Sequence, residues 1–236
     1  MSSSLARPDS RIVILTGAGV SAESGVPTFR DADGLWEGHR VEEVATPQAF
    51  RQNPALVQNF YDQRRAALAR TAPNPAHLAL ARLDAEWEGS LLLVTQNVDD
   101  LHERAGSERL LHMHGELLSA WCLACDARSP WDAPLGDNPA CPGCGEAKLR
   151  PDIVWFGEMP YHMEEIEDAL ASADLFIAIG TSGQVYPAAG FVDLATQAGA
   201  HTIEVNVQQT SSRFAEHRTG PAGEIVPALV AELLGC

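Results

Sequence analysis

Short unbroken apolar runs recur along the chain, and each is closed by a glycine-rich or polar stretch. Ile12 to Leu15 runs into Gly17-Ala18-Gly19, Leu91 to Val94 into Gln96-Asn97-Val98-Asp99, and Leu175 to Ile179 into Gly180-Thr181-Ser182; His201-Thr-Ile-Glu-Val-Asn-Val207, of mixed polarity, reads as a further strand. Runs of this length without alternation predict strands covered on both faces, as in a parallel sheet. Between them the apolar period lengthens to that of a helix. Asn53-Pro54 supplies an N-cap and a proline at the first helical position, and Leu56, Val57, Phe60, Tyr61, Arg64 and Leu68 follow at helical spacing. Asn74-Pro75 repeats that start before Leu78, Leu80, Ala81 and Leu83. Further helices are expected up to Gly106, from Pro187 to about Gln197, and from Ile225 to Leu234. The alternation predicts an α/β fold, a Rossmann-type doubly wound parallel sheet with ligands at the carboxyl ends of its strands. Two stretches break the pattern. Gly34 to Pro47 has no clear period and reads as a loop leading away from the sheet, while Trp121 to Glu146 combines four cysteines with Pro130, Pro134, Pro139 and Pro142.

Composition narrows this picture. A chain of 236 residues, 45% hydrophobic, can bury a full core, and a formal net charge of -16 disfavours unspecific binding to nucleic acid or anionic membranes. Lysine-rich protein segments are the partners that such a charge favours. The first residues, MSSSLARPDS, lack an apolar signal core, and no apolar run approaches the ~20 residues that span a bilayer, so a cytoplasmic location is expected. In that setting the pattern Cys122-x2-Cys125-x15-Cys141-x2-Cys144 reads as two metal knuckles. Four thiolates close a tetrahedral Zn²⁺ site and leave no position for water, which makes the metal structural. A redox role for one Cys-x-x-Cys pair is the competing reading.

The polar closures carry the candidate chemistry. Gly17-Ala18-Gly19 strips side-chain bulk from the end of a strand, so that a phosphate can approach main-chain N–H groups, and Arg30 follows as a candidate pyrophosphate clamp. The stretch is not the standard dinucleotide fingerprint, because Ala22 stands where the third glycine or alanine belongs and the next glycine, Gly25, comes three residues later; an ordinary tight turn is the alternative. Asn97 and Asp99 are suited to hydrogen-bonding a ribose or carboxamide, and Asp99 equally to capping a helix. His112 and His114 alternate in Leu110-Leu-His-Met-His114-Gly115; a general base, a metal pair and plain structural histidines are all open. Trp155 and Phe156 are compatible with core. Tyr61 and Arg64 lie three apart on one helix face, where a solvated arginine is the ordinary case.

The string from Gly17 to Arg30, GAGVSAESGVPTFR, closely resembles the first signature of the sirtuins, the NAD-consuming protein deacylases. Other motifs resemble the family in the same order, from Gly17 to Ala222. The resemblance implies NAD as a consumed co-substrate, contacted by Gly17, Ala18, Gly19, Ser21, Phe29, Arg30, Gln96, Asn97, Asp99, Gly180, Thr181, Ser182, Asn206, Val207, Gln208 and Ala222. It implies His114 as the catalytic base, working with Asn97 and Asp99, and His112 as a neighbour without a catalytic role. It implies that Val154, Phe156, Gly157 and Glu158 pair with the substrate peptide and wall the acyl-lysine tunnel. Tyr61-x-x-Arg64 resembles the subgroup that removes acidic acyl groups, in which the pair holds the distal carboxylate. The implied organisation is discontinuous: residues 1–35, 84–116 and 150–236 form the NAD domain, and 36–83 with 117–149 form a small helical and zinc-ribbon domain. The implied reaction is attack of the acyl oxygen on the nicotinamide ribose, release of nicotinamide, and transfer of the acyl group to ADP-ribose. ADP-ribosyl transfer to protein, an NAD-linked dehydrogenase and a non-catalytic NAD-dependent binding module are the alternatives.

Overall fold

The computed structural model describes residues 5–27, 38–211 and 213–235. Phe29 and Arg30, and the first part of the stretch expected to loop away from the sheet, residues 34–37, lie outside the described residues.

Six parallel strands form the main sheet in the order β3-β2-β1-β7-β8-β9. They are β1 (Ile12–Thr16), β2 (Leu91–Thr95), β3 (Leu110–His112), β7 (Leu175–Ile179), β8 (His201–Asn206) and β9 (Glu216–Thr219). Every residue of β1 and β7 is buried, as an unbroken apolar run requires. Their alternating side chains feed two separate cores. Ile12, Ile14, Leu93 and Ile177 pack with Ala76, Leu80 and Leu83 of α5 (Pro75–Glu86) and with Val226, Leu229 and Val230 of α9 (Ala222–Leu234). Val13, Leu15, Val94 and Phe176 face the other way, onto Ile166 and Leu170 of α7 (Met163–Ala171) and Phe191, Val192 and Ala195 of α8 (Phe191–Gln197). The order of crossovers reverses between β1 and β7, which places a crevice beyond their carboxyl ends.

A second, three-stranded antiparallel sheet has the order β5-β4-β6, from β4 (Gly115–Cys122), β5 (Arg128–Pro130) and β6 (Leu149–Ile153). One side of it meets α2 (Val41–Val44), α3 (Pro47–Gln52) and α4 (Pro54–Leu68) through Val44, Val57, Phe60, Tyr61, Leu117, Ile153 and Trp155. The two asparagine starts fold as read: Asn53 Oδ1 accepts from the Leu56 N–H (3.1 Å) and Asn74 Oδ1 from the Ala76 N–H (2.9 Å). The remaining short helices are α1 (Ala18–Ser21) and α6 (Leu101–Ala105), the latter closed by Gly106 at φ +105°.

Two features differ from the pattern of the sequence. The stretch read as a loop up to Pro47 holds the one-turn helix α2, and Thr46 Oγ1 caps α3 by accepting from the Ala49 N–H (3.0 Å). Elements this short have too few residues to display a period. The expected domain boundary between 83 and 84 falls inside α5, whose apolar face belongs to the core of the parallel sheet, and β6 pairs with β4 in the small sheet.

Candidate active site and zinc centre

The crevice is closed at its base by backbone contact between two glycine turns. Gly17 N–H donates to the Ile179 carbonyl (3.0 Å) and Gly19 N–H to that of Gly180 (2.9 Å). A Cβ on Gly19 would lie 2.7 Å from Gly180 Cα, and one on Gly180, at φ +62°, 2.5 Å from the Val20 nitrogen. The glycines therefore first join the ends of β1 and β7, and these two N–H groups are spent on that junction. Thr181 is buried and its carbonyl accepts from Asn206 Nδ2 (2.8 Å), while Asn206 Oδ1 accepts from the Val207 N–H (2.9 Å). Ser182, Val207 and Gln208 are exposed along the same edge, and Ala222 opens α9, where Glu23 accepts from the Gly223 N–H (2.6 Å). All these positions follow carboxyl ends of parallel strands, where a dinucleotide is expected.

Beneath the crevice lies a buried polar network. Ser21 Oγ accepts from Asn97 Nδ2 (3.0 Å) and donates to Asp99 Oδ2 (3.0 Å), whose other oxygen accepts from the Leu101 N–H (3.2 Å). Asp99 thus caps the turn into α6 and is tied through Ser21 to Asn97. Burial pushes its carboxyl pKa up. The sequence reading missed four members of this network. His77 Nε2 lies 3.3 Å from Ser21 Oγ, and Thr16 Oγ1 bridges Thr95 Oγ1 (2.9 Å) and His102 Nε2 (3.0 Å). Burial lowers the pKa of His77 to about 4 and that of His102 well below its ordinary value, so both are neutral. Their signal was slight: a histidine three places after the Asn74 cap, and one inside the turn after Asp99.

His114 is half-buried beside this network, with Nδ1 3.1 Å from the Gln96 carbonyl. A carbonyl only accepts, so Nδ1 holds the proton and Nε2 keeps the lone pair a general base needs. Burial lowers the His114 pKa and keeps the ring neutral near pH 7. The glycine after it has a separate reason: Gly115 sits at φ +81°, where a Cβ would lie 2.0 Å from the Asp152 carbonyl. His112 faces the Asn97 carbonyl through Nδ1 (3.1 Å) and Glu103 through Nε2 (2.6 Å). Burial opposes its charge, but the Glu103 carboxylate outweighs that and the pKa is raised. Among the described residues no metal-holding cluster contains both histidines.

The segment expected to wall the substrate peptide follows β6. Val154 N–H donates to the His114 carbonyl (2.9 Å) and Phe156 N–H to that of Ala45 (3.0 Å), which fixes the segment between His114 and the end of α2. Trp155 is core, whereas Phe156 is 45% exposed and Gly157 has open space around it. Both Glu158 oxygens are taken, by Arg150 (2.7 and 3.0 Å) and by the Trp155 N–H (2.8 Å), so its carboxylate braces the segment. Tyr61 and Arg64 are both buried on α4, unlike the solvated arginine that helices usually present. Arg65 next to them is a structural tie, donating to Asp62 (2.7 Å) and to the Leu117 carbonyl (2.9 Å).

The four cysteines converge from the two knuckles. Cys122 and Cys144 Sγ are 3.7 Å apart and Cys125 and Cys141 Sγ 3.8 Å, too far for disulfides. Zn–S bonds of about 2.3 Å in a tetrahedron require sulfurs about 3.8 Å apart. Ala124 and Gly143 N–H groups donate to Cys122 and Cys141 Sγ (3.4 Å each), as suits thiolates. The site fits one structural Zn²⁺.

Comparison with known proteins agrees with this geometry. The model of the Sir2 family matches residues 17–187. An NAD-dependent protein deacylase of Bdellovibrio bacteriovorus is 60% identical over 228 residues, 94% of this chain and 96% of that protein. A solved Sir2 homologue in complex with NAD superimposes with a TM-score of 0.87 at 40% identity, over 98% of this chain and 91% of the other. Sir2Af2 bound to a myristoylated histone peptide gives a TM-score of 0.73 at 34% identity, over 96% and 92%. The chain therefore belongs to the Sir2 family, the sirtuins.

Proposed function

We propose that this NAD-dependent protein deacylase removes succinyl and related acidic acyl groups, as well as acetyl groups, from lysine side chains of proteins. NAD is consumed as co-substrate, yielding nicotinamide and O-acyl-ADP-ribose. In this reading His114 Nε2 takes the proton from the ribose hydroxyls, so that the 2′-oxygen can attack the activated acyl carbon. Asn97 and Asp99, oriented through Ser21, hold the nicotinamide end, and residues 154–157 offer main chain to an extended peptide. Gly17 to Ser21, Gln96, Gly180 to Ser182, Asn206 to Gln208 and Ala222 hold the remainder of the dinucleotide; Phe29 and Arg30, assigned to the same set by the family resemblance, lie outside the described residues. The zinc ribbon supports β4 and β6 and takes no part in the chemistry.

The observation that carries the acyl preference is the burial of Tyr61 and Arg64 together on one face of α4. A guanidinium and a phenol hydroxyl match a carboxylate, and neither matches a methyl group. The test is paired turnover of otherwise identical acetyl-lysine and succinyl-lysine peptides with NAD, followed by mass spectrometry. O-succinyl-ADP-ribose forming faster than O-acetyl-ADP-ribose supports the reading, and loss of acetyl alone overturns its acyl part.

A further inference from the structure

Trp155 is nearly fully buried, yet it sits in the middle of the peptide wall and reaches across to α4. Its indole Nε1 lies 3.0 Å from Tyr61 Oη. An indole N–H can only donate, so Tyr61 must accept there with a lone pair. Burial pushes the Tyr61 phenol well above its usual pKa, and the hydroxyl keeps its own proton. An oxygen whose lone pair is taken up by a donor has its proton directed away from that donor. With the indole N–H held by one lone pair, Tyr61 turns its O–H elsewhere as a donor, which suits a carboxylate.

The indole is itself clamped. The Arg150 guanidinium lies over the Trp155 ring at 3.4 Å from the centroid, with the Trp121 ring 4.9 Å away. Arg150 is buried, forms a two-pronged pair with Glu158 (2.7 and 3.0 Å) and donates to the Ile153 carbonyl (2.6 Å). Glu158 in turn accepts from the Trp155 N–H (2.8 Å). A planar guanidinium can make this fork and this stack at once, and an ammonium cannot.

We propose that Trp155, held by Arg150 and Glu158, is a specificity-positioning residue that fixes the Tyr61 hydroxyl for the distal carboxylate of an acidic acyl group. This rests on the acyl reading of Tyr61 and Arg64 given above. It assigns to the wall segment a second task besides holding peptide: the same clamp that presents residues 154–157 also orients the acyl-recognising phenol.

The experiment compares succinyl-lysine and acetyl-lysine peptides by kcat/KM for the wild type, Tyr61→Phe, Trp155→Phe and the double variant, with KM for NAD measured alongside. Trp155→Phe keeps an aromatic face for Arg150 and removes the indole N–H together with part of the ring; the packing lost with the smaller ring would lower both substrates alike. The succinyl to acetyl ratio is expected to fall roughly tenfold in each single variant, the loss that follows from one charge-assisted hydrogen bond. The double variant should lose no more than Tyr61→Phe alone, because both act through one hydroxyl. A merely structural role would lower both substrates together and add in the double variant. Arg150→Lys, which keeps the charge and loses the fork, is the second route to the same readout and should lower the ratio several-fold. An unchanged ratio in Trp155→Phe and Arg150→Lys, beside a lowered one in Tyr61→Phe, overturns the role of Trp155 and leaves the acyl reading standing. A ratio that no variant lowers overturns both.

Discussion

The dinucleotide crevice and the proposed acyl side are positioned by different parts of the chain. At the crevice the main chain sets the geometry: Gly17 and Gly19 donate to the carbonyls of Ile179 and Gly180, and the loops after β7 and β8 continue neighbouring parallel strands. On the acyl side the geometry comes from side chains of distant segments. Tyr61 from α4, Arg150 from β6, and Trp155 and Glu158 beyond it meet only because the small sheet brings them together. Backbone pairing between strands tolerates most side-chain changes, except where glycine is required. A side-chain clamp fails when any of its members changes. The crevice should therefore be robust outside its glycines, and the acyl side easy to retune or break.

The largest effect expected is on the acyl side, through the metal. A structural zinc contributes on the order of 10 kcal/mol to a module of this size. Cys141→Ser, or chelation, should lower bound zinc below one per chain and open the ribbon to protease, with peptide turnover lost in step. Retention of full turnover by zinc-free protein would contradict the support assigned to the ribbon. His114→Ala comes next. Removing a general base costs about 10²- to 10⁴-fold in turnover. Titration with ADP-ribose should show nearly unchanged binding in that variant; a matching loss of affinity would make His114 part of the crevice and not a base. Because burial lowers its pKa, His114 is neutral at pH values where an ordinary imidazole is charged. The acid limb of kcat/KM should accordingly fall below pH 6.5.

Smaller effects sharpen the crevice half. Gly19→Ala would force a Cβ to within 2.7 Å of Gly180 Cα, and overpacking of that kind costs about 1–3 kcal/mol. KM for NAD should rise in this variant more than KM for the peptide. A rise confined to the peptide would show that the glycine turn does not shape the dinucleotide site. The buried histidine gives a pH signature of the same half. His77 has a folded pKa of about 4 against an ordinary value of 6.5, so the unfolded chain binds more protons between these values. The stability it contributes is complete above pH 6.5 and falls by about 1.4 kcal/mol per pH unit as pH drops toward 4. Denaturant unfolding at pH 5 and 7 should show this loss, and His77→Gln should reduce it.

Legibility in the sequence follows the same division. The parallel strands, the glycine turns and the Cys-x-x-Cys knuckles are local patterns, and each lies where its pattern placed it: β1, β2 and β7 coincide with the unbroken apolar runs, β8 with the strand read from His201 to Val207, and the four sulfurs meet in one cluster. The Asn53 and Asn74 caps were equally local. The family resemblance rested on these same stretches. What the sequence did not display depends on distant contacts. Strands β3 and β9 are three and four residues long with mixed polarity, too short for a period of two. α5 shows its helical face plainly, but only packing on α9 and the sheet assigns it to that core. The buried state of Arg64, the linkage of Trp155 to Tyr61 across 94 positions, and the neutral pair His77 and His102 all arise from segments that are remote in sequence.

In this protein a sirtuin crevice is proposed to be coupled to an acyl side that reads a carboxylate. The most direct test is kcat/KM for succinyl-lysine and acetyl-lysine peptides in the wild type and in Arg64→Met. Arg64→Met is expected to lose about 1.5–3 kcal/mol, roughly tenfold to a hundredfold, on the succinyl peptide, with acetyl turnover little changed or raised. Equal losses on both peptides would contradict it and return Arg64 to the packing of α4.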